Sequence, residues 1–334
     1  DTFWSSERFI CGCLAFENAL AQALEEAGLV TEAEARSARE DIAGFQPDAA
    51  AVSAATLEDG VPVPELLRQL KAHCRSASLP AIHRGATSQD LIDTGFLLIL
   101  REINAVLESR LEFAIGGFAV LDKAWGNASM MGRTRMQAAL PIRVSDRISA
   151  WKQPLETHLA ALHGMRARLE VLQLGGAVGN RSALEPSGDA VAASLARTLG
   201  LAAPRKAWHG ERAVLVEYAG LLSIIAASLG KFGQDICLMA QQGIGEVALK
   251  GGGTSSAMPH KQNPVLAELL VTHARFNANL VPNMHHAMLH EQERSGAAWT
   301  LEWVALPSMT IATGKSLLLA TELQAKIERL GTSD

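Results

Sequence analysis

The run Ser255-Ser256-Ala257-Met258-Pro259-His260-Lys261-Gln262-Asn263-Pro264 sets two hydroxyls, an imidazole, an ammonium and two amides side by side. Gly251-Gly252-Gly253 precede it and leave the backbone largely unrestrained on that side. Pro259 and Pro264 stop any helix from running through it, so a loop is expected. Glycine and serine alone would serve a linker. A proton-transfer group among anion-binding groups suits acid/base work on an anionic substrate instead.

Three more polar segments interrupt apolar stretches. They are His83-Arg84-Gly85-Ala86-Thr87-Ser88-Gln89-Asp90, Gly132-Arg133-Thr134-Arg135-Met136-Gln137-Ala138-Ala139-Leu140-Pro141, and Glu291-Gln292-Glu293-Arg294-Ser295-Gly296-Ala297-Ala298-Trp299. Arg133 and Arg135 alone are what any hydrophilic connector carries. Thr87-Ser88-Gln89 and Lys261-x-Asn263 place neutral donors beside a cation, as carboxylate recognition requires. Gly175-Gly176-Ala177-Val178-Gly179 has the look of a dinucleotide loop but follows a helical stretch rather than a strand, so no nucleotide cofactor is expected. His286 and His290 stand four apart with only Glu291 and Glu293 nearby; a solvated helix face is expected there, and no metal. The four cysteines, Cys11, Cys13, Cys74 and Cys237, are too few for a disulfide framework and lack a second pair at zinc-site spacing.

The elements that must position these loops are helices. Of 334 residues, 48% are hydrophobic and 5% aromatic, with one Tyr and abundant Ala and Leu, a balance that favours packed helices over sheets. Shorter helices are expected over residues 7–27, with Leu14, Ala21 and Leu24 inward, from a capping box at Thr31-Glu32-Ala33-Glu34, and over residues 64–77. From Asp90, apolar residues Leu100, Ile103, Leu107, Leu111, Ala114, Phe118 and Leu121 step by three and four along one face, with no turn residue before Gly116-Gly117. Further long helices are expected over residues 145–174, 212–242, 264–291 (kinked at Pro282) and 306–330. No alternating strand pattern of useful length is visible. Helices this long imply a bundle, and runs such as Leu221-Leu222-Ser223-Ile224-Ile225 are apolar on more than one face, so a homo-oligomer is expected. The polar segment ending at Gln89 marks a boundary between a domain of residues 1–89 and one of residues 90–334. A net charge of −5 offers no general basic field, so nucleic acid is not an expected partner. The most apolar run, residues 219–230, is short for a bilayer and broken by Ser223 and Ser228, so a cytoplasmic protein without a membrane is expected.

The Ser255–Pro264 run resembles the signature loop of the fumarase/aspartase superfamily. His83-x-Gly85-Ala86-Thr87-Ser88-Gln89-Asp90 and Gly132-Arg133-Thr134-x-x-Gln137-x-Ala139-x-Pro141 resemble its other two motif regions, in the right order and across nearly the whole chain. The wording Gly-Ala-Thr-Ser-Gln-Asp, the segment Trp208-His209-x-x-Arg212 and the stretch Glu293-Arg294-x-Gly296-x-x-Trp299-x-x-Glu302-Trp303 resemble the 3-carboxy-cis,cis-muconate cycloisomerase branch. Two residues depart from the superfamily. Arg135 stands where fumarases and amino-acid lyases carry His, which weakens assignment to a lyase that uses that His as its acid. Thr254 stands where the loop often has Gly.

The resemblance implies an all-α fold: a long central helical bundle of the fumarase/aspartase type, a smaller N-terminal helical domain and little or no C-terminal domain. It implies lactonisation of a polycarboxylate diene without redox cofactor or metal, in a homotetramer whose sites are built from several subunits. Ser255 aligns with the superfamily's catalytic serine. Serine is a poor base at neutral pH, so Lys261, His260 and loop N–H groups would stabilise its alkoxide. His83 and His209 are alternative acid/base groups. Arg135, Arg212, Lys261 and Arg294 are candidate carboxylate clamps, with Thr87, Ser88, Gln89, Thr134, Gln137 and Asn263 as neutral partners. The rival expectations are a fumarate-releasing lyase, such as one acting on adenylosuccinate, and a catalytically silent structural protein like the lens crystallins of the superfamily.

Overall fold

Ser5 opens the first helix by accepting a hydrogen bond from the Arg8 N–H, and the chain continues as α1, Ser6–Glu26. The structure is a computed structural model that describes residues 2–254, 258 and 262–332. Thr31 and Glu34 form the expected reciprocal cap at the start of α2, Glu32–Gly44. Asp48 caps α3, Ala49–Asp59, which ends on Gly60 in the left-handed conformation. α4, Val63–His73, carries its proline in the first turn, where a missing N–H costs nothing.

α5, Ser88–Trp125, is the long helix foreseen from the three-and-four spacing. Leu100, Ile103, Leu107, Leu111, Ala114, Phe118 and Leu121 are all buried. Gly116-Gly117 do not stop it. At Gly117 a Cβ would lie 2.1 Å from the Gln324 amide, so the missing side chain admits a neighbour rather than a turn.

After α5 the chain departs from the expectation of helices alone. β1, Ser129–Thr134, and β2, Gln137–Arg143, form an antiparallel hairpin. Its two-residue tip, Arg135-Met136, has φ of 51° and 66°. Positive φ at both positions is the geometry of a tight hairpin turn, normally supplied by Asn-Gly. With Arg-Met at the tip and residues 137–141 exposed, the sequence carries neither the turn signal nor the inward–outward alternation.

α6, Val144–Leu169, follows and runs through Pro154. α7, Gly188–Leu199, was not anticipated. α8, Ala213–Met239, buries Tyr218, Leu221, Ile225, Leu229, Phe232, Ile236 and Met239. β3, Val247–Leu249, β4, Gly253–Thr254, and β5, Gln262–Asn263, precede α9, Val265–His286. α10, Ala297–Lys326, starts well before residue 306, because Pro307 lies inside the helix instead of at its first turn. The expected helical tail becomes β6, Ile327–Leu330, antiparallel to β3. Ile327 and Leu330 also fit a helical stripe, which is why the strand was not legible.

The chain divides into two compact units, each drawing on several segments. The first comprises Asp1–Ile103, Arg166–Leu215 and His286–Leu301; the second comprises Asn104–Met165, Val216–His285 and Glu302–Asp334. In the first, Phe16, Leu20 and Leu24 of α1 are fully buried, as are Leu66 and Leu70 of α4 and Leu91 and Leu97 of α5. α1 and α5 meet at glycines: a Cβ on Gly12 would lie 3.1 Å from the Gly95 Cα. In the second, Phe118, Trp151 and Phe232 pack with ring centroids 4.9–5.9 Å apart. Each such side chain contributes about 1.5–3 kcal/mol by leaving water, and edge-to-face contact adds to it. Trp151 Nε1 also donates to Asp235 Oδ2 at 2.8 Å, so the indole is satisfied inside the core.

α8 and α10 are long and apolar enough to cross a membrane, longer than the 219–230 run suggested. Of the most apolar window in each, 61% is buried within the protein, as in core helices.

Candidate active site

Two groups of sequence-predicted residues stand in the structure, one in each unit. In the first unit they gather around the start of α5. Thr87 N–H donates to Asp90 Oδ2 at 3.0 Å, so Asp90 reaches back to the residue before the helix. Gly175 and Gly176 N–H groups donate to the same carboxylate at 2.8 and 2.9 Å, and His209 Nε2 at 2.7 Å. Asp90 is fully buried, and four donors replace its water. The glycine segment that has the look of a nucleotide loop therefore spends its amides on a side chain of its own chain. A Cβ at Gly175 would fall 2.8 Å from His209 Cε1, so glycine there is a packing requirement.

One turn on, Asp93 is 4% exposed. Arg212 donates to both its oxygens at 2.7 and 3.1 Å, Gln173 Nε2 to one at 3.1 Å, and Trp299 Nε1 to the other at 2.9 Å. The Arg212 guanidinium also covers the Trp208 ring, 4.8 Å from its centroid. Burial pushes the Asp93 carboxyl up, but the Arg212 charge and the hydrogen bonds from Arg212, Gln173 and Trp299 outweigh it and hold the carboxyl below its ordinary value. The Trp208–Arg212 and Arg294–Trp299 segments thus converge on one aspartate.

This arrangement separates the predicted residues by exposure. Gln89, His209 and Arg212 are buried, and Gln89 Nε2 donates to the His209 carbonyl at 3.1 Å. They brace α5. His83, Thr87, Ser88 and Arg294 are half-buried and reach the surface of the unit. Arg294 donates to Thr87 Oγ1 at 3.1 Å and to the Gly176 and Ala177 carbonyls at 3.4 and 3.1 Å. All three acceptors are neutral, so among the described residues no carboxylate cancels its charge. His83 adopts φ 57°, and both its backbone N–H and Nδ1 meet the buried Glu17 of α1, at 2.8 and 2.7 Å. Gly85, at φ 74°, leaves no room for a side chain, since Leu184 Cδ2 would be 2.4 Å from its Cβ.

In the second unit, Thr134, Arg135 and Gln137 share the exposed tip of the β1–β2 hairpin. Arg133 anchors that hairpin by donating to Glu246 Oε2 at 2.5 Å, while Glu246 Oε1 takes the Met131 N–H at 3.0 Å. Asn263 lies in β5, paired with Gly253 of β4, and Thr254 pairs with Gln262. That short ribbon pairs Gly253-Thr254 with Gln262-Asn263. A Cβ on Gly253 would lie 2.6 Å from Val265 Cγ2, so this glycine permits close approach rather than freedom alone. Ser255, His260 and Lys261 lie outside the described residues.

Asp90, Asp93, Gln173, Glu17 and Glu246 were not singled out from the sequence. For the two aspartates a signal existed: acids beside Leu91-Ile92 at the start of an apolar helix must be buried, and buried carboxylates need partners. Among the described residues no three His, Cys, Asp or Glu side chains are grouped to hold a metal ion.

A family model described as lyase matches residues 3–276. The 3-carboxy-cis,cis-muconate cycloisomerase of Pseudomonas aeruginosa is 37% identical over 95% of this chain and 70% of its own length. The crystal structure of the 3-carboxy-cis,cis-muconate lactonizing enzyme from Pseudomonas putida superposes with a TM-score of 0.91 at 34% identity, covering 98% of this chain and 74% of that one. A fumarate lyase from Mesorhizobium sp. BNC1 gives a TM-score of 0.91 at 31% identity, over 99% of this chain and 75% of that one.

Proposed function

We propose, for a chain that belongs to the lyase family of the fumarase/aspartase superfamily, that it is a lactonising cycloisomerase of 3-carboxy-cis,cis-muconate or a close substituted muconate such as the 3-sulfo analogue. A substrate carboxylate oxygen adds to one alkene carbon, the π bond opens, and a proton goes to the carbon beside another carboxylate. Every substrate atom is retained in the lactone. The negative charge built up on the way spreads into that second carboxylate, so the protein must supply fixed positive charge and one proton-transfer group. The observation that carries this reading is Arg294, a half-buried cation bonded to Thr87 and two carbonyls and left with its charge for a substrate carboxylate. Relatives that are named for this reaction support it.

Ser255 is the proton-transfer group of the proposal, with Lys261 and His260 of the same sequence run as the groups proposed to stabilise its alkoxide and His83 as a second acid/base group. Thr134, Arg135, Gln137 and Asn263 are proposed carboxylate contacts together with Thr87, Ser88 and Arg294. Arg135 in the superfamily's histidine position favours cyclisation over elimination. Residues 1–89 as an N-terminal helical domain, residues 90–334 as a long-helix domain, and a cytoplasmic role in aromatic degradation by the β-ketoadipate route belong to the same proposal. A spectrophotometric screen of substituted muconates tests it. Loss of diene absorbance with lactone as the product is expected; release of fumarate from a substituted succinate, with no muconate consumed, overturns it.

The assembly of the proposal is a homotetramer. α10 exposes Val304, Ile311 and Leu318 at heptad spacing, and Val304 is 67% exposed. On α5, Phe113 and Val120 repeat the spacing at 70% and 68%. Heptad-spaced apolar residues form the seam by which helices pair, and solvent is a poor neighbour for them. Val304→Glu with Ile311→Lys is expected to yield dimers or monomers in sedimentation velocity, with turnover reduced at least tenfold. A tetramer of undiminished activity would remove this face from the interface.

A further inference from the structure

The Glu17 carboxylate spends both oxygens on a single residue. Oε2 accepts the His83 backbone N–H at 2.8 Å, and Oε1 meets His83 Nδ1 at 2.7 Å. The Glu17 side chain is 2% exposed, whereas that of His83 is 14% exposed. His83 is held at φ 57°, a left-handed conformation that side chains other than Asn, Asp and His seldom adopt. Ordering this residue costs energy, and a buried acid that grips both its backbone and its ring is what offsets that cost.

We propose that Glu17 is a positioning residue for His83. A backbone N–H can only donate, so it occupies Oε2 permanently. The remaining oxygen is an acceptor, so the neutral ring must present its proton at Nδ1. The lone pair then sits on Nε2, the nitrogen farthest from the clamp and the one left to exchange a proton with a substrate. Glu17 thereby fixes tautomer and ring orientation together. The inference deepens the reading of His83 as an acid/base group and rests on it.

The variant Glu17→Gln separates this role from filling space. A carboxamide has one acceptor oxygen, which the backbone N–H takes; its NH2 then faces Nδ1 and forces the other tautomer. In protein carrying 15N-histidine, with His83 assigned through its missing signal in His83→Gln, the parent is expected to carry its proton on Nδ1 at alkaline pH and the Glu17→Gln variant on Nε2. Turnover of muconate is expected to fall about 10²-fold, within the range of lost acid/base assistance, with KM changed by less than threefold, and Glu17→Asp is expected to recover part of the loss. An unchanged tautomer in Glu17→Gln, or unchanged kcat, overturns the proposal. If Glu17→Gln fails to fold, His83→Gln, which keeps a donor towards Glu17, takes its place, and parent-like turnover of that variant overturns the proposal equally. If the parent consumes no muconate at all, the functional reading fails, and the tautomer measurement still decides what Glu17 does.

Discussion

Replacing Ser255 with Ala is expected to lower turnover by about 10²–10⁴-fold, the range over which a positioned proton-transfer group acts, while the unfolding midpoint stays that of the parent. Ser255 follows β4 in the chain, and the strands that flank its segment, β4 and β5, are held together by antiparallel backbone bonds. Those bonds do not depend on the serine side chain. The effect should fall on kcat rather than KM, because the carboxylate contacts proposed at Thr87 and Arg294 remain. Turnover within threefold of the parent would take Ser255 out of the mechanism and pass the proton to His83.

Asp93→Ala is expected to lower unfolding free energy by about 3–5 kcal/mol, the cost of removing one partner from a buried ion pair. It removes the Asp93 carboxylate from the Arg212 guanidinium, which is 3% exposed, and takes the same acceptor from the Gln173 amide and the Trp299 N–H. The larger part of the loss is the buried donors deprived of the Asp93 oxygens rather than the pair itself. Asp93→Leu combined with Arg212→Met, which removes both charges, should therefore recover much of it. Denaturant titrations of the three proteins check this; an Asp93→Ala midpoint equal to the parent's refutes it. The pH dependence has a definite sign. The folded pKa of Asp93 lies below its unfolded value of about 3.9. Its contribution is thus complete above the unfolded pKa and disappears as pH falls through the folded one.

The long helices were legible because each repeats an apolar step of three or four over many turns, as from Leu100 to Leu121. The capping box at Thr31 was equally plain. The β1–β2 hairpin was not, since Arg135-Met136 hold φ values that composition assigns to Asn-Gly. Nor was the start of α10, where Pro307 has the look of a first-turn residue and is an interior one. Of the candidate site, the polar loops could be named because hydroxyls, amides and cations are rare inside apolar helices. What each residue does was not available from the sequence. Arg212 and Arg294 look alike there, and only contacts distinguish a cation closed against Asp93 from one bonded to neutral oxygens. Glu17 was invisible because its partner, His83, is 66 residues away.

The Asp93 network has a kinetic consequence. Its ion pair closes across 119 residues and its indole bond across 206. Contacts so distant in sequence reward the chain only after long loops have been closed, so they form late in folding. α5 can wind locally long before Asp93 finds Arg212. Substitutions in the network should therefore leave the refolding rate nearly unchanged and accelerate unfolding instead. The half-life of the folded state then depends on four residues brought together last.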